Sequence, residues 1–252
     1  MTERQRTGAD AAYILHAQPY RETSLLLETF TRPQGRVAMV ARGARRPRSE
    51  LRGTLLAFHP LSLEWFGKGE VRTLAKAEWL GGQAFLRGEA LLCGYYLNEL
   101  LLRLLPREDA HERLFERYAQ ALTALAEPGA SGQPAPVLRA FEKSLLAELG
   151  YALALPESGG AGINPETAYC YDPERGPVPA GEPAGAFSAV NNPVVSGQTL
   201  LDISRDDYGS ARTQNESKAL MRSLINHRLE NAPLRSRRVY RELLELAPAS
   251  PL

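Results

Sequence analysis

Residues 11–42 read AAYILHAQPYRETSLLLETFTRPQGRVAMVAR, and their pattern decides the fold. AAYILHAQ, TSLLLETF and RVAMVAR are short runs rich in the aliphatic and β-branched residues that suit a half-buried strand, and Pro33 to Gly35 supplies turn chemistry between the second and third. Two more runs lie outward from this stretch, HPLSLEWF and EVRTLAKAEW, with breaks at Gly43 to Gly53 and at the hairpin turn Gly67-Lys68-Gly69. Five short strands between Tyr13 and Trp79 suit a small closed barrel, because closure removes the exposed edges an open sheet would leave. The expectation is a five-stranded OB-type β-barrel over residues 1–81.

After Gly82 the apolar period changes from two to between three and four. Leu91, Leu92, Tyr95, Leu101, Leu104 and Leu105 form one helical stripe that stops at Pro106. The pattern recurs from His111 to Leu125 and from Pro136 to Leu149, with Gly150 as a left-handed terminator and EPGASGQPAP as the loop between. Ser196 before GQTLLDI, a capping box of Thr213 and Glu216, and an amphipathic stretch from Ser236 to Leu246 predict further helices. The fold class is therefore α+β and multidomain: the barrel, then a mostly α-helical domain over 82–252 carrying an irregular Gly- and Pro-rich excursion at about 156–190.

The 252 residues carry a formal net charge of +1, which by itself points to no nucleic-acid or membrane partner. Hydrophobic residues at 44% and charged residues at 23% suffice for an ordinary core. No run approaches the roughly 18 apolar residues that span a bilayer, and the opening MTERQRTGADAAYILH lacks a secretory stretch. A cytoplasmic protein is expected. Cys93 lies in an apolar helical run and Cys170 stands apart, without CxxC spacing, so neither a disulfide nor a four-ligand zinc site is expected.

Charge is concentrated rather than abundant. In RVAMVARGARRPRSELRG, Arg36, Arg42, Arg45, Arg46, Arg48 and Arg52 are opposed only by Glu50. Guanidinium groups bind phosphate in bidentate fashion and also stack on bases, so an arginine loop beside a barrel suits a nucleic-acid backbone. A solvated charged loop is the alternative; the strand context favours binding. Arg72 and Lys76 on the last strand and Arg21 near the first turn add charge, and Tyr20, Phe58, Trp65 and Phe66 are the aromatic candidates for base stacking, some of which must fill the barrel. A second basic cluster, PLRSRRVYREL, sets Arg235, Arg237 and Arg238 at a helix start. Positive charge there opposes the macrodipole, so either an external anion binds or local acids such as Glu230, Glu242 and Glu245 pair with them.

Catalytic patterns are absent. His16, His59, His111 and His227 are scattered, GxxxxGK[ST], GxGxxG and GxSxG are missing, and the aspartates of ISRDD fit a helix-start role better than a metal. No cofactor and no enzymatic activity are expected.

The opening AYILHAQPYRETSLLLETFTRPQGRVAMVARGARRPRS resembles the N-terminal barrel of the RecO family of bacterial recombination mediators, whose pattern runs from an apolar strand through a Y-x-E-x-S turn and a glycine hairpin to V-A-K-G-A-R and a basic loop. The similarity continues through FHPLSLEWFGKGEVRTLAKAE, Tyr96, Asn98 and Glu99, LRAFEKSLLAELGY and PLRSRRVYREL, and is weakest from Pro156 to Arg212. It implies an OB-type barrel on a helical domain, binding to single- and double-stranded DNA, strand annealing, and, with RecR, loading of RecA onto strands coated with the single-strand binding protein SSB. A nucleoid-associated location follows. Many members carry four cysteines in paired spacing after LGY; only Cys170 stands there, so the chain resembles a zinc-free branch.

The resemblance also implies a receptor for the acidic, apolar-ended SSB tail. Leu138, Phe141 and Leu145 share one face of a helix, and Arg139 beside them stands in the family's L-R-x-F position. The same stripe equally serves a helical core, with Arg139 capping a helix or paired to Glu142. A protein-interaction adaptor that binds SSB or RecR with little direct DNA binding is the alternative function.

Overall fold

The computed structural model describes residues 9–127, 134–155, 162–173, 175–181 and 193–246. Strands β1 (Asp10–Tyr20), β2 (Ser24–Thr31), β3 (Gly35–Ala41), β4 (Leu61–Phe66) and β5 (Val71–Trp79), with the one-turn helix α1 (Leu51–Thr54) between β3 and β4, close into a barrel of order β1-β2-β3-β5-β4. Neighbours are antiparallel except β3 with β5, and β1 closes the ring against β4. Alternation drives this closure. Val37, Met39 and Ala41 of β3 turn inward, where they meet Ile14, Leu27, Leu61, Leu63 and Trp65 in one buried cluster. The OB-type barrel is thus present, followed by helices.

The chain forms two compact units, Met1–Ser131 with Leu234–Leu252, and Gly132–Pro233. Helices α2 (Gly88–Leu104), α3 (Glu112–Ala126) and α7 (Arg235–Leu246) belong with the barrel. Tyr13 and Phe30, on the outer face of the barrel, pack against Phe115 and Tyr118 of α3, with ring centroids 5.1–6.1 Å apart. Buried Asn98 of α2 donates to the Leu15 carbonyl at 2.8 Å and accepts from the Tyr118 hydroxyl at 2.5 Å, so a polar group is satisfied inside an apolar junction.

Two glycines are dictated by close approach. Gly35, at φ +64°, would place a Cβ 1.7 Å from the Asp109 carbonyl oxygen. Gly94 of α2 faces Phe58, whose backbone is left-handed at φ 69° and whose ring lies 5.0 Å from that of Tyr95. A Cβ on Gly94 would stand 2.7 Å from Leu86 Cδ1 and 2.9 Å from Phe58 Cε1. Gly94→Val is therefore expected to destabilise by about 1–3 kcal/mol through overpacking, read as a lower urea midpoint with an unchanged slope.

The start of α7 holds an anion, but one from the chain itself. The Glu99 carboxylate accepts from the backbone N–H groups of Arg235 and Ser236, both at 2.8 Å, and from the Ser236 hydroxyl at 2.6 Å. Partial burial resists its ionisation, yet these hydrogen bonds and Arg103 outweigh burial and hold its pKa below the ordinary carboxylate range. The free N–H groups at this helix start are thus met by a carboxylate of the chain, Glu99, 136 residues away in sequence rather than one of the local acids Glu230, Glu242 and Glu245.

The second unit comprises α4 (Ala135–Glu148), β6 (Ala168–Asp172), β7 (Gly176–Pro179), β8 (Val194–Ser196), α5 (Gly197–Ser204) and α6 (Ala211–Arg228). Part of the excursion expected to be irregular supplies two strands, β6 and β7, of a three-stranded sheet of order β7-β6-β8, with Tyr169, Tyr171 and Val178 buried. Its composition concealed it: Gly176 takes the tight turn at φ 79°, and Pro177 and Pro179 sit on an edge strand, where a missing N–H costs little. Within 156–190, residues 156–161, 174 and 182–190 lie outside the described residues.

The capping box expected at Thr213 and Glu216 is also corrected. Ser210 caps α6, its hydroxyl accepting from Thr213 N–H at 3.0 Å. Glu216 reaches instead to Ser196 N–H and hydroxyl at 2.8 and 2.9 Å and to the Thr199 hydroxyl at 2.6 Å, while Arg212 pairs with it at 2.9 Å. Burial opposes ionisation of this carboxylate, but the hydrogen bonds prevail and bring its pKa down to about 2. A depressed folded-state pKa contributes stability above the unfolded value and loses it as pH falls through the folded one. The stability gap between wild type and Glu216→Gln should thus be full above about pH 5 and close toward pH 2, measured by denaturant midpoints across that range.

Candidate nucleic-acid interface

At one mouth of the barrel the β1–β2 turn, the end of β3 and the start of β5 converge around a recess of about 560 Å3. In OB-type barrels these loop positions border the ligand groove. Arg21, Arg42, Arg46 and Arg72 line it together with Tyr20, Thr23, Ser24 and Thr73, and no carboxylate is among the described lining residues. A concave site with one sign of charge and low-dielectric walls focuses potential on an anion.

The arginines expected to bind a backbone do not share one environment. Arg42 and Arg46 are exposed, line the recess and make no ion pair among the described residues; Arg48 and Arg52 are exposed but lie outside the lining. Arg72 lines the wall with its guanidinium fixed at 2.7 Å by both the Gly69 carbonyl and Glu108, which neutralises part of its charge. Arg45 works on the loops themselves, donating to the carbonyls of Arg21 and Glu22 at 3.4 and 3.3 Å while its N–H bonds Thr23 O at 2.8 Å.

Two more of the expected residues, Arg36 and Lys76, are engaged away from the recess. The Arg36 guanidinium donates to the Leu102 and Leu105 carbonyls at 2.7 and 2.5 Å and to Glu28 at 3.2 Å, capping the C-terminus of α2. Glu28 also accepts from Arg107. Lys76, exposed on β5, pairs with Glu78 at 2.9 Å.

Of the four aromatic candidates, Trp65 fills the barrel, Phe58 is buried against α2, Phe66 is half-buried outside the recess, and Tyr20 alone lines it. The hydroxyls of Thr23, Ser24 and Thr73 had no signal in the sequence beyond their place at strand ends. Trp79 and Phe85, also not singled out, stand exposed beside buried His59, whose pKa burial lowers; neither lines the recess.

In the second basic cluster, Arg237 donates to the Tyr96 hydroxyl at 3.1 Å, Arg238 lies 3.7 Å from Glu242, and the Arg235 side chain is exposed. The residues expected to hold a tail peptide are mostly internal. Phe141 and Leu145 are core, Leu138 is half-buried, and Arg139, only 7% exposed, pairs at 2.7 Å with fully buried Glu142. Elsewhere in that unit Leu146, Tyr151, Tyr171, Leu224, His227 and Arg228 line a small recess, with the Arg228 guanidinium 3.5 Å from the Tyr151 ring centroid.

Among the described residues no cluster of His, Cys, Asp or Glu is placed to hold a metal ion, and no helix is long and apolar enough to cross a membrane. Cys93 and Cys170 form no disulfide among the described residues.

Family models described as Recombination protein O N terminal and Recombination protein O C terminal match residues 6–83 and 86–238. The chain is similar to proteins named DNA repair protein RecO: 53% identical to that of Aromatoleum aromaticum over 98% of this chain and 100% of the relative. The corresponding protein of Dechloromonas aromatica is 51% identical over 98% and 100%. That of Thiobacillus denitrificans is 49% identical over 98% and 97%.

Proposed function

The chain belongs to the RecO family of DNA repair proteins, serving DNA repair and recombination, and on that premise we propose that it works by holding a DNA backbone at the barrel mouth. The observation that carries this reading is the recess with four arginines and no carboxylate in its lining. The protein then acts as a mediator without chemistry of its own: it binds single- and double-stranded DNA, brings complementary strands together, and with RecR helps RecA replace SSB on single strands. Such work belongs in the cytoplasm at the nucleoid. Fluorescence anisotropy with short single strands tests it: binding in the micromolar range or tighter, falling linearly with log salt, is expected. Salt-independent or absent binding would leave the adaptor reading in its place.

For the SSB tail, burial of Arg139 with Glu142 moves the proposed receptor to the Arg228 recess. There the exposed Tyr151 ring, with the Arg228 cation over it, offers an apolar surface beside a positive charge to an acidic peptide ending in apolar residues. Arg228→Glu is expected to weaken binding to an SSB tail peptide by about tenfold or more, roughly 1.4 kcal/mol, with the far-UV spectrum unchanged; undiminished tail affinity would move the receptor elsewhere.

A further inference from the structure

We propose that the barrel-mouth recess takes one unpaired nucleotide, its base stacked on Tyr20 beside the Arg21 guanidinium and its phosphate between Arg42 and Arg46. The inference rests on the reading of this recess as the DNA site and divides that site into a part that attracts and a part that discriminates.

Size comes first. A recess of about 560 Å3 lies in the range of small-ligand sites, large enough for a nucleotide projecting from a strand. Its chemistry is also divided. Tyr20 is the aromatic ring in the lining, and the Arg21 guanidinium lies 5.3 Å from its centroid. A base slid onto this ring gains stacking and cation–π contact that every base can make. The polar groups left for its edge are the hydroxyls of Thr23, Ser24 and Thr73. A hydroxyl both donates and accepts, so these accommodate any base and the site has no sequence preference.

The stacking pair is built in advance. Arg21 has a left-handed backbone at φ 52°, and Arg45 holds that turn through the carbonyls of Arg21 and Glu22. Arg45 is therefore a positioning residue for the Tyr20–Arg21 pair. Arg42 and Arg46, free of ion pairs among the described residues, remain for phosphate. A duplex, whose base faces are covered by their neighbours, meets only these arginines; a single strand uses both parts.

The test compares oligo(dT), a fully abasic strand of equal length, and a duplex, each bound to the full chain by anisotropy across a salt series. Tyr20→Leu should weaken oligo(dT) binding about tenfold, the effect of one stacked base, while leaving abasic-strand and duplex affinity and the salt slope unchanged. Tyr20→Phe should bind like wild type. Equal losses on oligo(dT) and the abasic strand would show a merely structural tyrosine, and no loss on oligo(dT) would show that no base stacks there; either overturns the proposal. If Arg42→Ala/Arg46→Ala in the same assay still flattens the salt slope, the DNA-site reading survives that failure. If it does not, both fall together.

Discussion

Alanine at both Arg42 and Arg46 should lower single-strand affinity about fifteenfold at physiological salt and reduce the magnitude of the log–log salt slope by about 1.4. The slope follows from counterion release, since each phosphate neutralised on a single strand contributes about 0.7. Extrapolated from 1 M salt to 0.15 M, one such contact is worth roughly fourfold in affinity, and two about fifteenfold. Both side chains are exposed, line the recess and lack an ion pair among the described residues, so their removal leaves no buried charge behind. Arg36→Ala is the contrasting variant: three carbonyl and carboxylate contacts would be lost, so stability should fall while the slope stays. Arg72→Ala should change the slope less than either arginine of the pair, because Glu108 already neutralises part of its charge. A slope unaltered in the double variant would mean that the strand runs elsewhere.

Arg139→Glu should unfold the unit that contains it or bring it to the edge of unfolding. The substitution sets a second carboxylate beside Glu142, itself buried and supplied by Arg139 with its cation at 2.7 Å. Breaking a buried pair by removing one partner costs about 3–5 kcal/mol, a large part of a typical total stability of about 5–15 kcal/mol. The expected readout is a fall in Tm of about 10–20 °C. Loss of tail-peptide binding in this variant would then report unfolding rather than recognition. Replacing both members, as Arg139→Met with Glu142→Leu, should recover most of the lost stability, since an apolar pair of similar volume avoids the desolvation cost. A Tm within a degree or two of wild type for Arg139→Glu alone would contradict the buried pairing.

Much of the barrel was legible because a strand declares itself within its own residues. Val37, Met39 and Ala41 alternate with residues facing outward, and nothing distant is needed to see it. The arginine loop was equally plain as composition. What remained hidden was which arginines the fold employs for itself. Arg36 looks like Arg42 in the sequence, and only the carbonyls of Leu102 and Leu105, 66 and 69 residues away, separate their roles. Arg139 and Glu142 were visible as neighbours at i and i+3, but a helical stripe does not reveal how wide its buried face is. The β6–β7 hairpin was masked because Gly and Pro mark both irregular chain and tight edge turns, and the pairing of Tyr169 with Pro179 that decides between them is a contact in space.

The Glu99–Ser236 junction sets a timetable for synthesis. Residues 1–131 and 234–252 make one compact unit, so the 102 residues of 132–233 must leave the ribosome before α7 can dock on α2. At about 5–20 residues per second this delay is on the order of 5–20 s. Throughout it Glu99 and the surface of α2 around Tyr96 lack their partner, while the barrel itself can already close. A nascent chain thus has its barrel mouth assembled before its helical flank is sealed, and a chaperone acting on it would find its target on α2 rather than on the sheet.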